Sequence, residues 1–257
     1  MKAARSYHTE AIVLRHFDYG EADRVLTLYT PHHGRLRAIA KGVRRISSRR
    51  AGHLELFTRC GLQLARGRAF EVISQAQAIE HFPNLRLDLM RFSRAHYLTE
   101  LVDAFTPEHL PNPRLYATSL AYLRRLDQTD SPLVLRAFEM SLLDQSGYRP
   151  QLTTCLGCGK AIIPEPNHFS VELGGALCPS CQTMDPAAQP ITIPALKLLR
   201  NLQTNVEAVL RLTSVEAVLL TELEERLREY IVYRLERRPK SVAVLESLAH
   251  TYSAVGA

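Results

Sequence analysis

The 257-residue sequence predicts an α+β protein that has a small β-barrel first, a helical region after it, and a four-cysteine module inserted into the helical region. Three observations lead to this fold class. Apolar and polar residues alternate in short stretches at the start of the chain, apolar residues recur at helical spacing after Pro83, and residues 148–190 lose this periodicity. We therefore expect one domain at residues 1–81 and another at residues 82–257, interrupted by the cysteine module at residues 150–190.

Five stretches rich in aliphatic and aromatic residues, each bounded by turn residues, predict the β-strands of the first domain. They cover residues 7–15, 24–29, 35–41, 54–65 and 70–79. Alternation within the third stretch puts Arg35 and Arg37 on one face, whereas Leu36 and Ala38 fill the other. Five short strands within about eighty residues fit a closed or nearly closed barrel of the OB type.

Apolar spacing predicts helices in the second domain. One helix lies within residues 89–105, a second covers residues 114–126, and a third covers residues 133–145, where Ser131 is the N-cap and Pro132 occupies the first turn. Helical pattern resumes at Pro194. The last predicted helix is long and carries an apolar stripe at four-residue steps. The stripe consists of Val215, Leu219, Leu223, Leu227, Ile231 and Leu235. Val218 and Tyr230 widen it.

Positive charge is concentrated in the first domain. The first 80 residues contain fourteen Lys and Arg against seven Asp and Glu, although the whole chain has a formal charge of only +6. Between Arg24 and Leu54 there is no acidic residue. A concentrated block of cations attracts phosphate, so nucleic acid is the first candidate ligand. The candidate contacts in this block are Arg24, Arg35, Arg37, Lys41, Arg44, Arg45, Arg49 and Arg50.

The basic residues after the third strand are expected to lie in a loop that contacts phosphates without reading bases. Few aromatic residues accompany them, so we expect phosphate contacts to dominate, with salt-dependent binding to single and double strands. The alternative for each cation is an ordinary solvated surface position. The candidates for base stacking are Phe17, Tyr19, Tyr29, Phe57 and Phe70.

Two C-x-x-C pairs predict a metal site. Cys155 and Cys158 form the first pair, and Cys178 and Cys181 form the second pair. Four thiolates suit one structural Zn²⁺ and leave no open coordination position for catalysis. The alternative is four free or disulfide-paired cysteines. An alternating stretch between the pairs predicts a ribbon-like hairpin, and the fifth cysteine, Cys60, is expected to be a small core residue.

The sequence contains no motif that predicts an enzyme. Phosphate-binding G-x-x-x-x-G-K, zinc-protease H-E-x-x-H, nucleophile-elbow G-x-S-x-G and dinucleotide G-x-G-x-x-G patterns are all absent. Residues 1–17 resemble neither a signal peptide nor a membrane span, so a cytosolic location is expected. A basic cluster made of Arg234, Arg237, Arg238 and Lys240 is explained by the favourable interaction of cations with a helix C-terminus.

Several segments together resemble the bacterial RecO family of DNA repair proteins. The likeness runs in order along the whole chain, through residues 11–15, 19–24, 34–42, 139–150 and 233–241. The resemblance implies an N-terminal OB domain and a helical C-terminal domain that carries the cysteine module. It also implies that the strand and loop with Arg35, Arg37, Lys41 and Arg44 face DNA. Zinc is not universal in the family, so the metal rests on the cysteine spacing alone.

Membership in that family implies the function of a recombination mediator. Such proteins bind single- and double-stranded DNA, anneal complementary strands, and work with RecR, and in some bacteria RecF. They help load RecA where single-strand-binding protein coats DNA, and an apolar groove would receive the acidic tail of that protein. The location would be the bacterial cytoplasm, in association with the nucleoid, and no nucleotide hydrolysis is expected.

Two other interpretations remain open at the level of sequence. The same basic strand would serve an RNA-binding OB protein, because nothing in the sequence reveals a contact to a 2′-hydroxyl group. An accessory enzyme of nuclease or ligase type would need a carboxylate site that the motifs do not reveal.

Overall fold

A computed structural model describes residues 6–212 and 214–255, so the predicted domain ends at residues 1 and 257 lie outside the described residues. The chain forms two compact units. The first extends to Asp130 and also includes the segment from Pro239 onward, and the second is Ser131–Arg238. The predicted domain division at residue 81 stays a prediction.

The first unit contains a closed barrel of five strands, which confirms the predicted fold class. Its strands follow the spatial order β1-β2-β3-β5-β4, in which β3 and β5 are parallel and the other neighbours are antiparallel. This is the architecture of an OB barrel. The strands are β1 Ser6–Tyr19, β2 Asp23–Thr30, β3 Gly34–Ala40, β4 Arg59–Ala65 and β5 Glu71–Glu80.

The alternation of side chains along the strands fills the barrel. Leu26 and Leu28 of β2 and Leu36 and Ala38 of β3 belong to one buried cluster, so the residues between them face outward. The fourth strand begins at Arg59 and not near residue 54 as expected. Its extended conformation cannot start earlier, because residues 51–53 form a short 3-10 helix and Phe57 has a positive φ of 68°.

Four helices complete the first unit: α1 Asn84–Leu87, α2 Leu89–Phe105, α3 Pro113–Gln128 and α8 Ser241–Val255. Helix α2 packs against both β1 and α8. The side chain of Asp88 caps α2 by accepting a hydrogen bond from the Arg91 amide at 2.9 Å, and Asn112 caps α3 in the same way. The sequence pattern did not predict α8.

The start of α8 is held by a residue from a distant part of the chain. The carboxylate of Glu100 in α2 accepts hydrogen bonds from the backbone amides of Lys240 at 2.8 Å and Ser241 at 2.9 Å. These bonds satisfy amides that have no partner within their own helix. Burial raises the pKa of Glu100, but the hydrogen bond from the Ser241 hydroxyl and the two amide bonds outweigh it and lower the pKa.

The second unit is helical around a small sheet. Its elements are α4 Pro132–Gln145, β6 Asn167–Ser170, β7 Gly175–Leu177, β8 Gln189–Ile191, α5 Ile193–Thr204, α6 Val206–Leu210 and α7 Ala217–Leu235. The predicted hairpin is confirmed as the antiparallel pair β6 and β7, although Val171 and Leu173 lie in its turn. None of the helices in the described part of the chain is both long and apolar enough to cross a membrane.

The apolar stripe of α7 differs at its start from the prediction. Val215 precedes the helix, and Val218 is 79% exposed, so neither residue joins the packed stripe. Leu223, Leu227 and Ile231 are buried as expected, and Tyr230 widens the stripe. The four-residue steps therefore identify the buried face only after the first turn.

Gly34 lies where two parts of the first unit come very close. It has a φ of 66°, and a Cβ atom built on it would lie 2.4 Å from the backbone oxygen of Leu110. The segment after α2 runs beside the start of β3 here, since the His109 amide donates a hydrogen bond to the Arg35 carbonyl at 2.9 Å. Only glycine fits both the backbone conformation and the space.

Gly34→Ala is expected to destabilise the protein by about 2–4 kcal/mol, because it adds steric overlap to the cost of a positive φ. Gly20→Ala is the matched control, since Gly20 has a φ of 58° and open space around it, so it should lose only about 1–2 kcal/mol. Urea unfolding followed by circular dichroism measures both. Equal losses in the two variants would contradict the role of the Leu110 contact.

Candidate nucleic-acid interface and metal centre

Arg35 and Arg37 share the outer face of β3, as predicted, but acids meet them there. Arg35 donates to Asp103 at 2.6 Å, and the Arg37 guanidinium lies 3.1 Å from Glu108. Arg15 of β1 reaches the other oxygen of Asp103 at 3.1 Å. We call these five residues the strand-face network. It joins the barrel to α2 and to the segment that follows α2.

Arg35 is committed to this network. Its side chain is 21% exposed and that of Asp103 is 12% exposed. Separating a largely buried ion pair costs about 3–5 kcal/mol, whereas an exposed ion pair contributes about 1 kcal/mol or less. A phosphate at the surface therefore does not draw Arg35 away from Asp103. Arg37 is 48% exposed and keeps part of its guanidinium accessible.

Arg24 and Arg44 meet acids at the end of the barrel. The Arg24 guanidinium lies 3.4 Å from Asp18 and 3.2 Å from Glu55, and Arg44 lies 3.2 Å from Asp18. The basic block contains no acid in the sequence, but in the structure Arg24, Arg35, Arg37 and Arg44 each lie beside a carboxylate. The acids lie just outside the acid-free stretch or far along the chain, so a local count of charges misses them.

Arg50 has a structural role in the loop between β3 and β4. Its guanidinium donates to the carbonyls of Ile73 at 2.9 Å and Lys41 at 2.7 Å. The Gly42 amide donates to Asp23 at 2.7 Å, and the Arg44 amide donates to the Ala22 carbonyl at 2.9 Å. The two amide bonds from Gly42 and Arg44 hold the loop against the turn between β1 and β2.

Three cations of the same loop are exposed and have no carboxylate within ion-pair distance among the residues that the structure describes. They are Lys41, Arg45 and Arg49, and we call them the loop cations. Fixed backbone holds both ends of the loop, while these side chains extend into solvent. The part of the predicted basic surface that remains accessible therefore consists mainly of the loop cations, with partial contributions from Arg37 and Arg44.

Four of the five aromatic candidates divide into two groups, and the fifth, Phe70, is half-buried. Tyr29 and Phe57 are buried, and Tyr29 packs beside Tyr116 at a ring-centroid distance of 6.1 Å. Phe17 and Tyr19 are each 49% exposed. They lie at the end of β1, which continues four residues beyond its predicted end. Tyr29, which the sequence made a candidate, is thus excluded from stacking with a ligand.

The four cysteines come together as the spacing predicts. Their sulfur atoms all lie within 4.8 Å of one another, and the Sγ atoms of Cys158 and Cys178 are 3.8 Å apart. Tetrahedral coordination with metal–sulfur bonds of about 2.3 Å gives sulfur–sulfur distances of about 3.8 Å. A Cβ atom on Gly157 would lie 2.9 Å from the Cys181 sulfur, so glycine is required for this close approach.

Backbone amides in the cluster point at sulfur. The amides of Gly157 and Cys178 donate to the Cys155 sulfur at 3.4 and 3.3 Å. Burial raises the pKa of this thiol, but the backbone hydrogen bonds outweigh it and bring the pKa to about 6. The neighbouring thiol Cys178, followed by burial, raises the pKa of Cys181 to about 12. Such a set of thiols can hold a soft divalent cation.

Cys60 is separate from this cluster, as expected. It is buried in the barrel core, and burial raises the pKa of its thiol to about 12. A thiol in this environment stays protonated and packs as a small apolar residue.

Arg234 connects the end of α7 to the β6–β7 hairpin within the second unit. Its guanidinium lies 4.8 Å from the centre of the Tyr230 ring and donates to the carbonyl of Val171 at 2.9 Å and that of Glu172 at 3.2 Å. These carbonyls belong to the turn of the β6–β7 hairpin. The end of α7 is thereby fixed to the hairpin, which explains this arginine without a ligand.

Comparisons with known proteins agree over both parts of the chain. The family described as "Recombination protein O N terminal" matches residues 1–82, and the family described as "Recombination protein O C terminal" matches residues 86–243. The first match covers the barrel, and the second covers the cysteine cluster.

Individual relatives are similar over nearly the full length. The DNA repair protein RecO of Roseiflexus sp. is 43% identical, over 95% of this chain and 86% of the relative. The RecO proteins of Dehalococcoides mccartyi strain 195 and Pelotomaculum thermopropionicum are 38% and 39% identical, over 97% and 98% of this chain and 98% of each relative. With two family matches in order and this level of identity, the chain belongs to the RecO family of DNA repair proteins.

Proposed function

We propose that this protein is a recombination mediator in DNA repair. It binds single- and double-stranded DNA without sequence specificity, anneals complementary strands, and helps load RecA onto DNA that is coated with single-strand-binding protein. Its protein partners are RecR and single-strand-binding protein, together with RecF in some bacteria. It works in the bacterial cytoplasm in association with the nucleoid, and it uses no nucleotide hydrolysis.

The observation that carries this proposal is the set of loop cations on an OB barrel of the RecO family. Lys41, Arg45 and Arg49 extend from one loop without acidic partners among the described residues. Exposed cations of this kind bind phosphates by releasing counterions and read no base sequence. Arg37 and Arg44 add to the same positive potential, whereas Arg24, Arg35 and Arg50 chiefly hold the fold.

Annealing follows from charge neutralisation. Two complementary strands repel each other through their phosphates, and a cationic surface that contacts both strands lowers this repulsion. The bases then meet by diffusion and pair, and the stability of the duplex drives the reaction. This mechanism needs no bound nucleotide and no chemical step.

Replacing the loop cations in the variant Lys41→Glu/Arg45→Glu/Arg49→Glu should weaken single-stranded DNA binding at least 100-fold at low salt. Loss of three phosphate contacts should also reduce the slope of log K against log salt by about 2. Fluorescence anisotropy with an unstructured oligonucleotide measures both, and an annealing assay should lose its rate enhancement.

A control variant reverses the same number of charges on the second unit, at the exposed residues Lys160, Lys197 and Arg211. If the proposal holds, this control keeps its salt slope and most of its affinity, because it loses net charge without losing contacts. Full binding by a well-folded loop variant would place the DNA surface elsewhere.

We propose further that Cys155, Cys158, Cys178 and Cys181 hold one structural Zn²⁺. The support is the approach of four sulfurs to tetrahedral distances and the amides that favour a thiolate at Cys155. Bound zinc would supply the cross-link that ties the two knuckles together. Four protein ligands leave no position for an activated water, so the role is structural.

Metal analysis of purified protein should find one zinc per chain. Cys178→Ser should remove it and lower the melting temperature, because the module loses a cross-link. Cys60→Ala is the control: it creates a small cavity in the barrel core but should keep the zinc. A metal-free protein of unchanged stability, purified without chelators, would contradict the assignment.

We propose that the acidic tail of single-strand-binding protein docks in a groove of the first unit between α2 and α8. The groove has a volume of about 280 Å³ and includes Leu89, Phe92, His96, Lys240 and Val244. Apolar side chains dominate its wall, and Lys240 supplies positive charge. A second groove, beside the start of α7, includes Lys197 but also Glu216 and Glu222, so its net charge is negative and repels an acidic peptide.

Val244→Glu should weaken binding of a fluorescent acidic-tail peptide at least tenfold, because it places a like charge in the groove. Val218→Glu in the second groove is the matched control and should bind normally, since both valines are exposed. Anisotropy titrations compare the two variants. The reverse result would move the docking site to the second groove.

A further inference from the structure

The outer face of the barrel brings aromatic and basic side chains together across neighbouring strands. Arg15 of β1 pairs with Thr27 of β2, which pairs with Arg37 of β3. Two residues further along β1, Phe17 pairs with Val25 of β2. The side chains of these two residues also lie on the outer face. Val25 is completely buried although it points away from the core, so its neighbours on this face cover it.

Tyr19 lies further along the same outer face, toward the loop that carries the loop cations. It pairs with Asp23, whose carboxylate accepts the hydrogen bond from the Gly42 amide at 2.7 Å. Lys41 directly follows Ala40, which pairs with Arg24, the residue next to Asp23. Tyr19 therefore lies beside the loop that carries Lys41. The Phe70 ring approaches Tyr19 edge-on, at a centroid distance of 6.3 Å.

Phe17 and Tyr19 are suited to contact bases. Two residues apart on one strand, they lie about 6.7 Å from each other. This separation is about twice the spacing of stacked bases in a nucleic acid strand, which is ~3.4 Å. Each ring is half exposed, so part of its surface is open to a ligand. Cations flank the pair: Arg37 lies on one side and Lys41 on the other.

We propose that Phe17 and Tyr19 form a base-stacking platform through which this protein distinguishes unpaired from paired DNA. The proposal rests on the proposed function, since the loop cations deliver the strand to the platform. Unpaired bases have free faces that stack on aromatic rings, whereas the bases of a duplex are already stacked on each other. Duplex DNA then contacts only the cations.

This difference favours release of the annealed product, while the stability of the duplex still drives the reaction. Two single strands are held by phosphate contacts and by stacking, but their duplex product loses the stacking contribution as soon as the bases pair. The product therefore dissociates faster than the substrates, and the surface becomes free for another pair of strands.

The test compares the double variant Phe17→Leu/Tyr19→Leu with the unaltered protein. Its affinity for an unstructured single-stranded oligonucleotide should fall about tenfold or more, a loss in the range of one or two stacked bases. Its affinity for a duplex of equal length should stay within about twofold. The salt slope should not change, because leucine removes no phosphate contact. A 2-aminopurine base in the oligonucleotide should be quenched by the unaltered protein and much less by the variant.

Tyr233→Leu is the matched control, an exposed tyrosine of the second unit that should bind both DNA forms normally. Equal losses for single strands and duplex, or no loss for either, would overturn the platform. These outcomes differ from failure of the proposed function, in which the unaltered protein itself would not bind DNA or would bind without salt dependence. Preferential loss of RNA binding in the double variant would also overturn the assignment to DNA.

Discussion

The charge of Asp103 determines how the barrel relates to the rest of its unit and what the barrel can offer to a ligand. This carboxylate receives Arg15 from β1 and Arg35 from β3, and it belongs to α2, which packs on the barrel. Removing it would leave two guanidinium groups close together without a neutralising charge. The arginines of the strand face thus act first as connectors between sheet and helix. Within the basic block, the described cations that have no carboxylate partner lie where the chain leaves the sheet, in the loop after β3.

Some cations of the basic block are paired with the protein and others are not, so the same segment can stabilise the fold and bind DNA. A cation in an ion pair with the protein is fixed in place and contributes to stability, whereas a cation without such a pair keeps its solvation and its freedom to follow a flexible strand of DNA. Arg50 marks the boundary between these groups, because its bonds to backbone carbonyls fix the loop while its neighbours Arg45 and Arg49 extend into solvent. A rigid frame with mobile charges suits binding that does not depend on sequence.

Features encoded by local sequence were predictable, and features that depend on distant partners were not. The five barrel strands, the helices at residues 114–126 and 133–145, and the cysteine cluster follow from alternation, helical spacing and cysteine spacing. Pro132 lies in the first turn of its helix as predicted, but Ser131 makes no side-chain capping hydrogen bond. The neutralisation of Arg35 by Asp103 joins residues far apart in the sequence, so no window around the basic block reveals it. Likewise, α8 begins at amides that Glu100 caps, and Glu100 is far from them in the sequence. The burial of Tyr29 is a third case, since Tyr116 lies beside it.

The position of α8 has a consequence for biosynthesis. This helix joins the first compact unit, although Ser131–Arg238 is translated between it and the barrel. The second unit has all of its residues before α8 leaves the ribosome, so it can reach its native state while the first unit still lacks a helix. During that interval the face of α2 that later contacts α8 is exposed to water and to other chains. Chaperone binding during translation would be most useful at this face.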